Sequence, residues 1–101
     1  MVNLENIGSH NYEDIISLNS GSEHMTPNIK SIAEFVEMDH KNAFINAIYH
    51  NDKPIGFAMV IYENEQLKIK RFMICDSYQG KGFGSIAINL VIEKAFNMFP
   101  Q

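Results

Sequence analysis

Three glycines lie close together in one segment of the sequence, which runs Gln79, Gly80, Lys81, Gly82, Phe83, Gly84. The segment separates a run typical of a β-strand, residues 67–75, from a run typical of a helix, residues 85–98. Glycines just before a helix let several backbone N–H groups point toward one spot at the positive end of the helix dipole, and that geometry binds phosphate. The segment therefore predicts a phosphate-binding loop; the alternative is a solvent-exposed turn that uses glycine for left-handed backbone.

The spacing of the glycines excludes two other phosphate-binding motifs. A dinucleotide-binding fingerprint needs the pattern G-x-G-x-x-G, and here Phe83 alone separates Gly82 from Gly84. A nucleoside-triphosphate loop needs Ser or Thr directly after Gly-Lys, whereas Lys81 is followed by Gly82. The pattern that remains is Q-x-x-G-x-G.

Hydrophobic periodicity and turn residues predict the elements that position this loop. We predict that Asn11 caps the first helix and that Thr26 and Pro27 begin a second helix, which ends near Met38. The turn-forming residues 51–53 should join two strands into an antiparallel hairpin. The predicted strands cover residues 2–7, 43–50, 54–62 and 67–75, and the predicted helices cover residues 12–18, 26–38 and 85–98.

Two patterns within these elements add detail. Apolar residues alternate with lysines from Leu67 to Lys70, and the alternation then slips by one residue, so we predict a β-bulge near Lys70 and Arg71. A bulge opens a cleft where an extended ligand can pair like a strand, although a sheet-edge irregularity without a ligand gives the same pattern. The last helix has one narrow polar stripe, so we predict that most of it is buried; the stripe is Ser85, Asn89, Glu93 and Asn97.

The Q-x-x-G-x-G loop after the strand Arg71-Phe72-Met73-Ile74 resembles the acyl-CoA pyrophosphate loop of the GCN5-related N-acetyltransferases (GNAT), and most of all their polyamine and diamine acetyltransferases. The resemblance implies an α/β (α+β) fold with a mainly antiparallel sheet, two N-terminal helices and a helix after the loop. It also implies acetyl-CoA as co-substrate, with its pantetheine arm paired to the bulged strand and its pyrophosphate on the loop. The implied cofactor-binding residues are Phe72, Met73, Ile74, Gln79, Gly80, Lys81, Gly82, Phe83, Gly84 and Ser85.

The resemblance covers about residues 7–99 of a single predicted domain, 1–101, and it implies acetyl transfer to a small primary amine such as a polyamine or diamine. Family members continue past the last helix with a segment that often supplies a tyrosine as general acid, so the chain is expected to be a truncated domain. Some polyamine enzymes have a carboxylate where this chain has Lys70. No catalytic residue is therefore assigned, and the alternative function is a non-catalytic CoA-binding or self-associating half-domain.

Composition and charge narrow the classes of molecule that the protein is expected to bind. The formal net charge is −4 and the isoelectric point about 5.4, without a basic run, so we expect small cationic amines as partners and neither nucleic acid nor membrane. The single cysteine, Cys75, is interpreted as a core residue of a cytoplasmic protein, and the four scattered histidines as surface or turn residues. The acidic residues of the N-terminal helical region either attract the amine or form a solvated face; they are Glu13, Asp14, Glu23, Glu34, Glu37 and Asp39.

An assembly is also expected from the sequence. The strand 67–75 has no following strand beside it, and the last helix has a wide apolar surface. Open strand edges and apolar patches associate. We therefore predict a homodimer or higher oligomer with Phe72, Ile74 and neighbouring residues of the last helix near the contact; contact through the helix face alone is the alternative.

Overall fold

The computed structural model describes residues 1–21, 28–38 and 40–99. Four strands and three α-helices follow one another in the order β1, α1, α2, β2, β3, β4, α3, with a short 3₁₀ helix, Asp76–Tyr78, after β4. The bounds are Val2–Asn6 for β1, Tyr12–Ile16 for α1, Asn28–Val36 for α2, Ala43–His50 for β2, Lys53–Glu63 for β3, Gln66–Ile74 for β4 and Phe83–Met98 for α3. The predicted helix start at Thr26 and Pro27 lies outside the described residues.

The four strands form one antiparallel sheet in the order β1-β2-β3-β4, which confirms the predicted class of fold. Two tight turns join the last three strands, and the positive φ angles of Asn51, Asp52, Asn64 and Glu65 suit the primed turns that match the twist of a hairpin. The long apolar run of β3 lies inside the sheet and is buried from Ile55 to Val60. β4 is an edge strand of the described sheet.

The predicted β-bulge is present in β4. Met59 pairs with Arg71, but the next residue of β3, Val60, pairs with Ile69, so Lys70 is the extra residue. An extra residue bends the strand and increases its twist. The change of hydrophobic phase in the sequence therefore located the bulge.

Helices cover both faces of the sheet. Lys94 of α3 lies over the ring of Phe44, 4.8 Å from its centroid, so α3 packs on the face that contains Phe44 and Asn46. Glu34 of α2 contacts Arg71, whose strand partner Met59 is on the opposite face. The core between these layers includes Ile15, Ile48, Phe57 and Val91.

One polar group is buried beneath α3. Asn46 is almost fully buried; its amide donates to the carbonyl of Glu5 at 3.1 Å, and its oxygen accepts from the Lys94 ammonium. Burial lowers the pKa of Lys94 from its ordinary value because the charged form loses hydration. These contacts join β1, β2 and α3.

Two local predictions were wrong. Asn11 does precede α1, but its side chain accepts the N–H of Gly8 at 2.9 Å and donates to the carbonyl of Asn6, so it closes the β1–α1 connection and makes no cap hydrogen bond. The last helix is not mostly buried: Phe96 is 53% exposed and Ile86 is 50% exposed. Its buried positions are only Ala87, Val91 and Ala95.

No helix among the described residues is long and apolar enough to span a membrane.

Candidate functional site

The glycine loop joins the 3₁₀ helix to α3, which begins two residues earlier than the sequence predicted. Gly82 stands directly before the helix with φ of 86°, and Gly80 has φ of 75°. A side-chain carbon built on either glycine would meet no atom of the described residues within 4 Å, apart from its own neighbours in the chain. Because glycine has no side chain, a ligand can approach the backbone of the loop at Gly80 and Gly82.

The start of α3 offers free hydrogen-bond donors to that space. The first N–H groups of any helix have no partner within the helix, and Gly82 has no side chain to cap them. The first intrahelical bond here runs from the N–H of Ile86 to the carbonyl of Gly82 at 3.4 Å. The N–H groups of Phe83, Gly84 and Ser85 thus remain without a hydrogen-bond partner among the described residues, at the positive end of a helix of 16 residues. This donor set fits a pyrophosphate.

Gln79 fixes the loop rather than facing the open space. Its side-chain nitrogen donates to the carbonyl of Ile74 at 2.7 Å and to the carbonyl of Ser20 at 2.8 Å. The N–H of Asp76 also donates to the carbonyl of Asn19 at 2.8 Å. The chain before the loop is thus tied both to the end of β4 and to the segment that follows α1.

The end of β4 places a strand edge beside the loop. Cys75 donates its N–H to the carbonyl of Ile55 at 2.7 Å, so the backbone groups of Cys75 point toward β3. Backbone directions alternate along a strand, so those of Met73 also face β3 while those of Phe72 and Ile74 face the free edge. The carbonyl of Ile74 is already bonded to Gln79. An extended ligand would pair with both backbone groups of Phe72 and with the N–H of Ile74.

The side chains of the predicted site residues differ in how far they are buried. Met73 and Ile74 are buried in the core and Phe72 is half-buried, whereas Lys81 and Ser85 are exposed. The Lys81 ammonium lies 5.7 Å from the centroid of the Tyr78 ring, at the mouth of the loop. The structure thus brings the loop, the helix start and the strand edge together, with backbone groups as the main donors.

Sequence reasoning missed His50, the last residue of β2. Its ring centroid lies 4.3 Å from that of Phe83 and 6.2 Å from that of Tyr78, and the two aromatic rings are 5.8 Å apart. These three rings form an aromatic cluster that supports the loop on both sides, because Tyr78 lies just before Gln79 and Phe83 is the first residue of α3. No spacing rule in the sequence links a histidine in a hairpin to a helix that starts far along the chain.

We expect His50→Ala to weaken binding of acetyl-CoA, the ligand that the family resemblance implies, roughly threefold to tenfold, because an aromatic ring pair contributes about 0.5–1.5 kcal/mol beyond its buried area. His50→Phe keeps a ring in the cluster and should bind like the parent protein. Calorimetric titration measures both affinities, and thermal unfolding shows whether either variant is destabilised. Unchanged affinity in His50→Ala would mean that the cluster does not support the loop.

The chain has known counterparts. A family model described as the acetyltransferase (GNAT) family matches residues 10–99. No match was found among curated protein sequences. Among solved structures, an acetyltransferase from Thermus thermophilus is 15% identical with a TM-score of 0.69, and the alignment covers 97% of this chain and 71% of that one. A probable acetyltransferase from meticillin-resistant Staphylococcus aureus is 26% identical with a TM-score of 0.66, covering 97% and 71%.

A third similar structure contains the cofactor. A GNAT family acetyltransferase from Elizabethkingia anophelis with acetyl-CoA bound is 20% identical with a TM-score of 0.64, and the alignment covers 98% of this chain and 59% of that one. These likenesses confirm the arrangement of strands and helices. The chain spans between 59% and 71% of the length of these three structures.

Proposed function

Since this chain belongs to the acetyltransferase (GNAT) family, we propose that it transfers an acetyl group from acetyl-CoA to the primary amine of a small molecule. The observation that carries the proposal is the free edge of β4 next to the uncapped start of α3. A pyrophosphate on the amides of residues 83–85 leaves the pantetheine arm to run along β4 toward the bulge. The E. anophelis structure, which has acetyl-CoA bound, supports this choice of co-substrate.

Acetyl transfer in this site depends on the positioning of the two reactants and on backbone hydrogen-bond donors. The neutral amine attacks the thioester carbonyl, a C–N bond forms, the C–S bond breaks, and CoA leaves as the thiol after receiving the proton that the amine loses. The N–H of Phe72 faces the free edge near the bulge and would stabilise the negative charge on the carbonyl oxygen. Holding both reactants in one geometry supplies much of the rate enhancement in such a site.

For the acceptor, the sequence resemblance favours a polyamine or diamine. Glu13 and Asp14 of α1 and Glu37 just after α2 are exposed carboxylates that would attract such a cation in water. Lys70 at the bulge has the opposite charge. The acceptor assay therefore includes amines both with and without a second charge.

Two measurements test the proposal. Isothermal titration measures acetyl-CoA binding, and a thiol-release assay with a panel of primary amines measures transfer. We expect saturable binding with one site per chain, together with amine-dependent release of CoA. Absence of acetyl-CoA binding would contradict the proposed function in full.

A second candidate is a domain that binds CoA without turnover. Lys70 favours it, because a lysine at the bulge cannot accept the amine proton as a carboxylate can. In that case, acetyl-CoA would bind but no amine would increase thiol release. The same two measurements therefore separate the candidates.

We also propose that the chain self-associates. α3 exposes Ile86, Ile92 and Phe96, and a second copy that covers this apolar surface would leave the β4 edge to the co-substrate. Of the contact residues predicted from sequence, Ile74 is buried and Phe72 half-buried, so the exposed helix residues are the better candidates. Sedimentation at high micromolar concentration should show a dimer, and Phe96→Glu should shift it to monomer. A monomeric parent protein under these conditions would disprove the assembly.

A further inference from the structure

A cleft of about 300 Å³ lies between the end of α2 and the bulge of β4. Lys70, the extra residue of the bulge, lines the cleft and lies two residues before Phe72, about 7 Å along an extended strand. One wall of the cleft is therefore close to the N–H of Phe72, where the thioester carbonyl is proposed to lie. The other lining residues are Met38, Asn42, Ala43, Ile61, Tyr62 and Glu63.

The wall of the cleft is apolar where α2 covers the sheet. Ala43 and Ile61 are direct cross-strand partners, so their side chains share one face. That face is the α2 side, because Ile61 is two residues from Met59, whose strand partner Arg71 contacts α2. Met38 and Ile61 are half-buried, so a ligand in the cleft would cover apolar surface that water now contacts.

The charged groups of the cleft do not favour a second charge on a short acceptor. Among the described residues that line it, Glu63 has the only carboxylate and Lys70 the only ammonium. Glu63 lies at the far end, because its strand partner Gln66 is four residues from Lys70, about 13 Å along β4. A second ammonium on a short chain would therefore meet Lys70 with like charge or lose hydration beside the apolar wall.

We propose that the acceptor is a primary amine with an apolar chain and no second charge, and that this chain lies in the cleft. The inference rests on the proposed acetyl transfer and narrows its substrate class. A water-sized group takes about 30 Å³, so the cleft holds about ten non-hydrogen atoms, which suits a chain of roughly six to eight carbon atoms. The reacting amine then lies at the bulge, and burial of the chain favours binding.

A matched series of amines tests the charge preference. Hexylamine, 1,5-diaminopentane and 5-aminopentanoate have chains of similar length that end in a methyl group, an ammonium and a carboxylate. We expect kcat/KM for hexylamine, measured by thiol release, to exceed that of the other two at least tenfold. Equal values, or a preference for either charged amine, would overturn the inference while leaving the proposed transfer intact.

Chain length gives a second test of the cleft. From ethylamine to hexylamine, each added CH₂ group that becomes buried should raise kcat/KM by up to about fourfold. The rise should end beyond roughly eight carbon atoms, when the chain fills the volume. A kcat/KM that does not change between ethylamine and hexylamine would contradict the inference.

Variants of Met38 test the wall. Met38→Gln keeps the length of the side chain but makes it polar, so we expect KM for hexylamine to rise roughly threefold or more and KM for ethylamine to stay unchanged. Met38→Leu conserves volume and should behave like the parent protein. Val36→Gln is the matched control, since Val36 is an exposed apolar residue of α2 that does not line the cleft. Equal changes in KM for both amines would indicate a structural role for Met38 and count against the inference.

The two proposals can fail separately. If no amine releases thiol, the transfer proposal fails, and calorimetric titration of hexylamine and 1,5-diaminopentane decides the inference. The titration uses the CoA-loaded protein, or the free protein if CoA does not bind. Binding of hexylamine that is weakened in Met38→Gln supports the inference. Absence of hexylamine binding overturns it.

Discussion

Replacing Gly82 by valine is expected to abolish acetyl-CoA binding, with at least about a 100-fold loss, or roughly 2.7 kcal/mol. Two effects combine at this position. The φ of 86° is costly for a β-branched residue, and a side chain would fill the space in front of the free amides of α3. Isothermal titration of the variant with acetyl-CoA measures the loss.

A second substitution separates the two effects. Asparagine tolerates left-handed backbone far better than valine, so Gly82→Asn should unfold at nearly the parent temperature. Its side chain still occupies the open space, and we therefore expect a loss of affinity of more than about tenfold. Parent-like binding by Gly82→Asn would show that the cofactor does not approach the loop at Gly82.

Replacing Gly56 by alanine is expected to produce the largest loss of stability. A side-chain carbon at Gly56 would lie 3.1 Å from the carbonyl carbon of Met73 and 3.2 Å from Cα of Ile74, and closer still to the carbonyl oxygen of Met73. No rotamer change relieves a collision with backbone, so β3 and β4 must separate. Overpacking of this kind costs about 3 kcal/mol.

Thermal or urea unfolding of Gly56→Ala measures this cost, and we expect Tm to fall by roughly 10 °C or more. Gly84→Ala is the control, because its added carbon would be in ordinary contact, 3.9 Å from Cγ1 of Ile74. Alanine also favours a helix over glycine by about 1 kcal/mol, so this control should be neutral or more stable. A Gly56→Ala protein as stable as its parent would show that β3 and β4 do not lie so close.

Local patterns in the sequence predicted much of the fold. Runs of apolar residues located the four strands, the turn residues 51–53 joined the hairpin, and the slip in alternation after Lys70 located the bulge. Each of these features depends on neighbouring residues, whose side chains fix backbone direction within one element. The glycine spacing likewise predicted the loop before α3, although the helix itself begins at Phe83.

Only the tertiary structure decided which side chains meet across elements. It places His50 against Phe83, ties Gln79 to Ser20, and brings Glu34 of α2 to Arg71. The burial of α3 was overpredicted for the same reason: its amphipathic pattern gives the width of the apolar face but not how much of it a four-stranded sheet covers. Contacts between residues distant in sequence depend on how whole layers pack, and no local periodicity encodes that packing. The family and the glycine loop before α3 were therefore accessible from sequence, whereas the aromatic cluster around His50 and the hydrogen bonds of Gln79 became visible only in the folded chain.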